Sequence, residues 1–241
     1  MARRFYAPNL AGLGVPVLLS DAESAHLRRV LRTEAGDTVA VFDGRGGEYW
    51  ARVEQVDAAG VLIRPIQPAD HKSEARVALT VAPALLKGRK FDDVVRDLTM
   101  VGAVVVQPLV TARTEGKPRD ATRWTRIAVA SAKQCGRAVV PEVRNPCSFH
   151  SFVAHDASAV RLLLVEPSAS DHETAIRALE REPRPSTATL VVGPEGGWTP
   201  EEITTAVNAG FRALTLGRLT LRADAVGVSA VSILQYVWGD V

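Results

Sequence analysis

The amino-acid sequence predicts an α/β protein with a mostly parallel sheet, preceded by a small module built mainly of β-strands. From about residue 77 onward, short apolar runs alternate with segments of helical periodicity, which is typical of parallel strands covered by helices on both faces. Before that point, strand patterns predominate and one helix interrupts them. A polar linker around residues 67–76 separates the two patterns. We therefore expect two domains, residues 1–72 and 73–241.

The N-terminal module is predicted from three strands and a helix. Ser20 and Glu23 fit a capping box, and the helix that they begin continues towards Leu31. The strands show partial alternation and are expected at residues 38–42, 49–56 and 61–66. Short strands around one helix indicate a compact, β-barrel-like module.

The second module is predicted as alternating strands and helices. Its strands are expected at residues 77–81, 103–106, 162–165, 190–192 and 213–216. Its helices are expected at residues 91–101, 120–135, after Pro200, and at 223–238. The strands are nearly all apolar, which favours burial on both faces of a sheet.

Composition narrows the class of protein. The chain has 241 residues, of which 46% are hydrophobic and 23% charged, as in an ordinary globular protein. No run approaches 18 uninterrupted apolar residues, and no apolar segment follows the basic residues near the start, so we expect neither a membrane span nor a signal peptide. Cys135 and Cys147 are too few for a disulfide framework or a zinc site. We expect a cytoplasmic protein without a metal.

The net charge of +2 is unevenly distributed. Residues 1–74 hold nine basic and ten acidic side chains, a net charge of −1, and residues 146–241 hold seven and eleven, a net charge of −4. Residues 75–145 hold thirteen basic and six acidic side chains, a net charge of +7. This concentration predicts a surface that binds a polyanion, although a solvated charged face would show the same pattern.

A glycine-rich segment, Gly193-Pro194-Glu195-Gly196-Gly197, follows a predicted buried strand. A helix begins after it, with Thr199 as N-cap, Pro200 at N1 and Glu202 at N3. Glycine lets the backbone approach a ligand closely, and open α/β sheets bind ligands at the carboxyl ends of their strands. The segment therefore predicts a ligand site, with a tight strand-to-helix connection as the alternative.

Several familiar sites are excluded by the sequence. It contains neither the phosphate-binding pattern G-x-x-x-x-G-K-[ST] nor H-E-x-x-H. Residues 44–47 do not complete G-x-G-x-x-G because Tyr49 replaces the last glycine, and residues 227–231 lack the second glycine of a nucleophile elbow. Kinase, dinucleotide-binding and hydrolase functions are therefore disfavoured.

Two further segments are candidates for function. In the first, the strand ending at Leu216-Gly217 is followed by Arg222 and Asp224 at the start of the last helix. Asp224 suits the helix dipole there, whereas Arg222 does not, which favours a site role for the arginine. The second is Lys133-Gln134-Cys135-Gly136-Arg137, within a basic stretch whose side chains can neutralise phosphates or stack on bases. The other basic residues of that stretch are Arg113, Lys117, Arg119, Arg123, Arg126 and Arg144.

Taken in order along nearly the whole chain, these segments resemble the RsmE family of 16S rRNA (uracil-N3)-methyltransferases. The matching segments are His26–Arg32, Gly36-Asp37, Phe42-Asp43-Gly44, Leu86-Lys87-Gly88, Gln134–Arg137, Val140-Pro141-Glu142, Gly193–Gly197, Leu216-Gly217 and Leu221-Arg222. Two segments depart from the family pattern. Thr99–Ala103 stands where the family has Glu-Leu-Gly-Val, and Arg222–Ala225 stands where it has an Arg-Thr-Glu type of segment.

The resemblance implies an N-terminal PUA-like β-barrel and a C-terminal SPOUT domain with a trefoil knot, which dimerises. It also implies S-adenosyl-L-methionine (SAM) as methyl donor and 16S rRNA of the small ribosomal subunit as partner. The expected SAM-binding residues are Gly193, Pro194, Glu195, Gly196, Gly197, Leu216, Gly217 and Leu221. The expected RNA-binding residues are Arg28, Arg29, Arg32, Lys87, Arg123, Arg126 and Arg137.

Arg222 is the expected catalytic residue. The uracil N3 must lose a proton, and a cation can stabilise the charge that develops on O2 and O4. Asp224 and Glu195 are candidates for the proton acceptor. Two alternatives stay open: a SPOUT methyltransferase for another RNA position, and a non-catalytic RNA-binding factor in ribosome assembly, which the two departures would favour.

Overall fold

The computed structural model describes residues 4–29, 33–70, 74–167 and 174–239. The chain divides into two compact units. Unit 1 consists of Met1–Glu74 and Val129–Val140, and unit 2 consists of Ala75–Ala128 and Pro141–Val241. The boundary predicted at residues 72 and 73 stays a prediction, since Val129–Val140 also belongs to unit 1.

The described part of unit 1 contains a five-stranded sheet, the helix α1 at Asp21–Arg29, and the second half of the helix at Thr122–Cys135. The strands are β1 at Arg4–Tyr6, β2 at Val17–Leu18, β3 at Thr38–Phe42, β4 at Glu48–Val56 and β5 at Val61–Pro68. Their order is β1-β3-β4-β5-β2, parallel only between β1 and β3. Alternating strand residues and Leu27 of α1 bury one continuous core.

A buried ion pair organises the N-terminal end of unit 1. The guanidinium of Arg4 donates two hydrogen bonds to the Glu48 carboxylate, at 2.7 and 3.0 Å, and both side chains are about nine-tenths buried. The same guanidinium also donates to the carbonyl oxygens of Ala132, Lys133 and Arg137. These three carbonyls lie in the last turn of a helix and in the residues just after it, so Arg4 ties this segment to β1 and β4 within unit 1.

The described part of unit 2 contains a seven-stranded sheet in which every pairing is parallel. Its strands are β6 at Ala78–Pro83, β7 at Val105–Val106, β9 at Glu142–Val143, β11 at Val160–Leu164, β12 at Thr174–Ala175, β13 at Thr187–Val192 and β14 at Arg212–Thr215. Their order is β12-β14-β11-β13-β6-β7-β9. Two short strands, β8 at Leu109–Val110 and β10 at Cys147–Ser148, pair separately.

Helices cover both faces of the large sheet. The helices are α2 at Lys90–Met100, α3 at Thr122–Cys135, α4 at Phe149–His155, α5 at Pro200–Asn208 and α6 at Ala223–Val237. Residues of α4 and α5 share a buried core with one set of strand side chains, including Leu163 and Val191. On the opposite face α6 packs against α2 and approaches Val192. Burial from both sides explains why most residues of these strands are apolar.

The predicted fold class, an α/β domain with a mostly parallel sheet and an N-terminal β module, is confirmed. The helix predicted at 120–135 begins two residues later, and the strand predicted at 103–106 is limited to Val105–Val106. Strands of two residues and the seven-residue α4 were missed because such lengths show no resolvable periodicity. Leu31, the expected end of the first helix, and Arg32 lie outside the described residues. The trefoil knot stays a prediction.

Candidate active site

A cavity of about 310 Å³ opens at the carboxyl ends of three neighbouring strands of unit 2, β11, β13 and β14. Each strand is followed by a loop that borders the cavity, and the start of α6 completes its wall. The lining residues are Lys90, Leu164, Val165, Glu166, Pro167, Val192, Gly193, Pro194, Glu195, Gly197, Trp198, Leu216, Leu219, Thr220, Leu221, Arg222, Ala223, Asp224 and Val226. Its position is the usual ligand-binding edge of an open α/β sheet.

The glycine-rich loop is packed around Trp198. The indole Nε1 donates a buried hydrogen bond of 2.7 Å to the carbonyl oxygen of Leu164, and the ring packs against Phe149 with centroids 5.0 Å apart. A Cβ on Gly193 would lie 3.0 Å from two atoms of that ring. Glycine is therefore needed at 193 so that the tryptophan can lie across the loop. Gly197 has a φ of +68°, which favours glycine for its conformation.

The predicted capping box at the start of α5 is confirmed. The Thr199 hydroxyl accepts a hydrogen bond from the Glu202 amide at 3.2 Å, and the Glu202 carboxylate accepts one from the Thr199 amide at 3.0 Å. The other carboxylate oxygen of Glu202 accepts a bond of 2.9 Å from the Ala112 amide. Glu202 is almost fully buried, so its charge is compensated by these backbone donors.

Four charged side chains form two ion pairs at the cavity. Lys90 contacts Glu195 at 2.8 Å, and Arg222 contacts Asp224 through two hydrogen bonds of 3.0 and 2.6 Å. The Arg222 guanidinium holds the pKa of the Asp224 carboxyl below its usual range, since a hydrogen-bonded cation favours the ionised form. The side chain of Arg222 is 74% exposed, so it is accessible to a substrate.

Arg222 occupies the N-cap position of α6, and its side chain makes no capping hydrogen bond. Asp224 lies in the first turn, where the helix dipole favours a negative charge. The guanidinium of Arg222 is thus held by Asp224, and its backbone is fixed at the start of α6. This arrangement presents a cation beside the cavity.

Six of the eight predicted SAM-binding residues border the cavity, namely Gly193, Pro194, Glu195, Gly197, Leu216 and Leu221. Gly196 and Gly217 do not line it. A Cβ on Gly196 would lie 3.1 Å from the Cβ of Arg113, so a neighbouring side chain explains glycine there. Gly217 has a φ of +137°, and its role is conformational.

The predicted RNA-binding residues are scattered over both units. Arg28 and Arg29 lie at the end of α1, and Arg28 donates to the carbonyl oxygen of Asp57. Arg137 is buried and paired with Glu74 at 2.8 Å, which removes its charge from the surface.

The remaining three predicted RNA-binding residues are exposed in unit 2. Lys87 pairs with Glu115 at 3.1 Å, and Arg123 pairs with Asp92 at 2.5 Å. The Arg123 guanidinium lowers the pKa of the Asp92 carboxyl. Among the described residues, no ion pair joins Arg126 to an acidic side chain, so its charge is available to a polyanion.

Two charged cavity residues were missed by the sequence analysis. Glu166 follows β11, and the rule that ligands bind at the carboxyl ends of strands could have found it. Lys90 lies at the start of α2 and is 105 residues away from its partner Glu195. No local signal connects them, and only the tertiary fold brings Lys90 to the cavity.

A doubly covered parallel sheet, with a mainly apolar cavity of ligand size and charged groups at its rim, is typical of an α/β domain that binds a small organic ligand. The RNA methyltransferase domain model matches residues 73–235, and the RNA methyltransferase PUA domain model matches residues 19–66. The chain belongs to the family of RNA methyltransferases that includes ribosomal RNA small subunit methyltransferase E.

Similar sequences and structures agree with this membership. A ribosomal RNA small subunit methyltransferase E from Synechocystis is 35% identical over 86% of this chain and 68% of its own length. The enzyme of that name from Neisseria gonorrhoeae, solved bound to S-adenosyl methionine, is 27% identical, with a TM-score of 0.87 over 99% of this chain and 98% of its own. A Legionella pneumophila protein, solved with bound SAM, is 29% identical, with a TM-score of 0.88 over 98% of each chain. In the described part of this chain, no helix combines the length and apolar character needed to cross a bilayer.

Proposed function

We propose that this chain is a SAM-dependent methyltransferase that methylates N3 of a specific uridine in 16S rRNA of the small ribosomal subunit. The observation that supports it most is the cavity at the ends of β11, β13 and β14, with the cation Arg222 exposed at its rim. The related Synechocystis enzyme is named for ribosomal RNA of the small subunit, and the related Neisseria structure contains SAM.

The cavity residues fit SAM chemically. Leu164, Leu216 and Leu221 supply apolar surface for an adenine ring and a methionine chain, and the glycine-rich loop, which lines the cavity at Gly193 and Gly197, would supply backbone hydrogen bonds. The carboxylate of Glu166 also borders the cavity and suits a ligand with positive charge. When bound, SAM supplies an electrophilic methyl group, which is the chemistry that side chains lack.

The protein must hold the uracil and favour loss of its N3 proton. Arg222 is placed to stabilise the charge that spreads over O2 and O4 as that proton leaves. Asp224 holds the guanidinium in a fixed orientation through its two hydrogen bonds. Its lowered pKa makes Asp224 a weak base, so we propose an orienting role for it rather than proton acceptance. Glu195, the other candidate acceptor, is paired with Lys90.

We propose that the exposed cations of unit 2 bind RNA phosphates. Arg126 and Arg123 lie on α3 and offer a matched comparison, because Arg123 has an acidic partner, Asp92, whereas Arg126 has none in the part of the chain that the structure describes. Arg126→Gln should reduce the salt dependence of RNA binding by roughly 0.7 to 0.9 in the log–log slope for one phosphate contact. Arg123→Gln should reduce it less, since part of that charge is already neutralised. Unchanged affinity and slope in both variants would make this surface a solvated face.

We also propose a homodimer formed through the C-terminal domain, and a cytoplasmic location, which an rRNA substrate requires. Ile233 and Tyr236 are exposed on one side of α6, and Leu219 is 81% exposed beside the cavity. Ile233 and Tyr236 lie one helical turn apart, and exposed apolar side chains on one helix face are typical of a surface that a partner covers. Sedimentation equilibrium should give twice the mass of 25.8 kDa, and a Tyr236→Lys variant should shift the protein towards monomer.

The decisive test is methylation of defined RNA by the purified protein. Small ribosomal subunits from a strain without the enzyme should acquire one methyl group at uridine N3, which mass spectrometry of nuclease fragments locates. Methylation at another base would replace the substrate proposed here, and SAM binding without any methylation would indicate a non-catalytic RNA-binding factor.

A further inference from the structure

Arg113 contacts the glycine-rich loop and does not line the cavity. Its Nη1 donates two hydrogen bonds to backbone carbonyl oxygens, to Gly196 at 2.9 Å and to Trp198 at 3.2 Å. Its Cβ lies 3.1 Å from the position that a Cβ on Gly196 would occupy. The absence of a side chain at 196 therefore permits this arginine to reach both carbonyls.

The segment that contains Arg113 is itself fixed at two further points. The Ala112 amide donates to the buried carboxylate of Glu202 at 2.9 Å, which ties this segment to the first turn of α5. A Cβ on Gly116 would lie 2.6 Å from the carbonyl oxygen of Leu86, so the end of the segment packs against backbone. Arg113 thus projects from a fixed support onto the loop.

The two carbonyls that accept hydrogen bonds from Arg113 lie on either side of Gly197 in the sequence. Gly197 lies between them and borders the cavity, and Trp198 borders it as well. Their backbone conformation sets which groups of the loop face a ligand. Fixing two carbonyls of a glycine-rich loop lowers its conformational freedom before the ligand arrives, and such preorganisation increases affinity.

We propose that Arg113 is a positioning residue for the SAM site, acting through the carbonyls of Gly196 and Trp198. This inference rests on the proposed function, because it takes SAM as the ligand of the cavity. It assigns to Arg113 a task within unit 2 that differs from the phosphate binding expected of the other basic residues of its stretch.

The test replaces Arg113 with Met, which keeps an apolar stem against Gly196 and removes both hydrogen bonds. Arg161→Met is the matched control, since Nη1 of Arg161 also donates to two carbonyl oxygens of unit 2, those of Asp156 and Ala209, and Arg161 does not line the cavity. We expect Arg113→Met to weaken SAM binding in calorimetry by about tenfold, from the loss of two charge-assisted bonds. Arg161→Met should bind SAM like the wild type.

Three further measurements separate positioning from general stability. The methylation rate of Arg113→Met at saturating SAM should stay within about threefold of the wild type, so that the effect appears in KM for SAM rather than in kcat. Its affinity for RNA should be unchanged. Arg113→Lys should recover part of the SAM affinity, because one nitrogen makes both hydrogen bonds in the arginine side chain.

Wild-type SAM affinity in Arg113→Met would overturn the inference, as would an equal loss of affinity in Arg161→Met. A loss of RNA affinity with unchanged SAM affinity would also overturn it and would return Arg113 to the phosphate-binding residues. Each of these outcomes would leave the proposed function unaffected. Failure of the wild-type protein to bind SAM would instead contradict the proposed function itself.

Discussion

Replacing Gly193 with Ala tests whether the glycine-rich loop is shaped by the packing of Trp198. The added Cβ would lie 3.0 Å from Cε2 and Nε1 of the indole, closer than carbon atoms normally approach. The ring cannot yield easily, because its Nε1 donates to the Leu164 carbonyl oxygen and its face packs on Phe149. Relief of the contact therefore has to lengthen this buried hydrogen bond or displace the loop.

The expected cost follows from these contacts. Overpacking a well-packed interior by one methyl group destabilises a protein by about 1 to 3 kcal/mol. For a chain of this size, each kcal/mol lowers the melting temperature by about 2 to 4 °C, so Gly193→Ala should lower it by roughly 2 to 12 °C. SAM affinity should fall as well, since Leu164 and Trp198 both border the cavity.

Gly227→Ala provides a matched control in unit 2. A Cβ there would lie 3.7 Å from Val192 and 3.9 Å from Leu98, which are ordinary contacts, and Gly227 lies inside α6. Alanine should stabilise the helix by about 0.5 to 1 kcal/mol. Calorimetric unfolding and SAM titration of both variants give the comparison. A Gly193→Ala variant with wild-type melting temperature and SAM affinity would refute this account of the loop.

Three further predictions concern charged groups. Arg222→Ala should lower single-turnover methylation by about 10²-fold or more with little change in SAM affinity, and normal turnover would make Arg222 structural. The same variant should raise the pKa of the Asp224 carboxyl, measured by carbon NMR, because a nearby cation favours the ionised form and its loss favours the protonated one; a constant pKa would contradict the ion pair. In unit 1, Arg4→Met should cost about 3 to 5 kcal/mol in urea unfolding by leaving Glu48 charged and buried. Arg4→Met/Glu48→Leu should recover the part of the loss that comes from Glu48, whereas the three hydrogen bonds from Arg4 to backbone carbonyls stay lost. A single variant as stable as the double variant would show that this pair contributes little.

The features of the site that depend on residues close together in the sequence were predictable from the sequence. The strand before Gly193, the N-cap at Thr199 and the acidic first turn at Asp224 follow from propensities and hydrogen bonds that span a few residues. The family resemblance added SAM and RNA as expectations that no such local pattern contains.

The role of individual side chains depends on the tertiary structure. Arg137 belongs to the basic stretch in sequence, yet it is buried against Glu74 and cannot present its charge to a phosphate without moving. Gly196 fits the ligand-binding pattern in sequence. In the structure, however, glycine is required there because a Cβ would crowd the side chain of Arg113.

The sequence by itself determined the fold class, the order of the longer strands and helices in the larger domain, and the two loops that follow β13 and β14. The structure added the third loop, after β11, and brought Lys90 to Glu195 across 105 residues. The physical reason is that helix and strand patterns depend on contacts a few residues apart. A cavity depends on which strands become neighbours in the sheet, and that order is fixed by the packing of the whole chain.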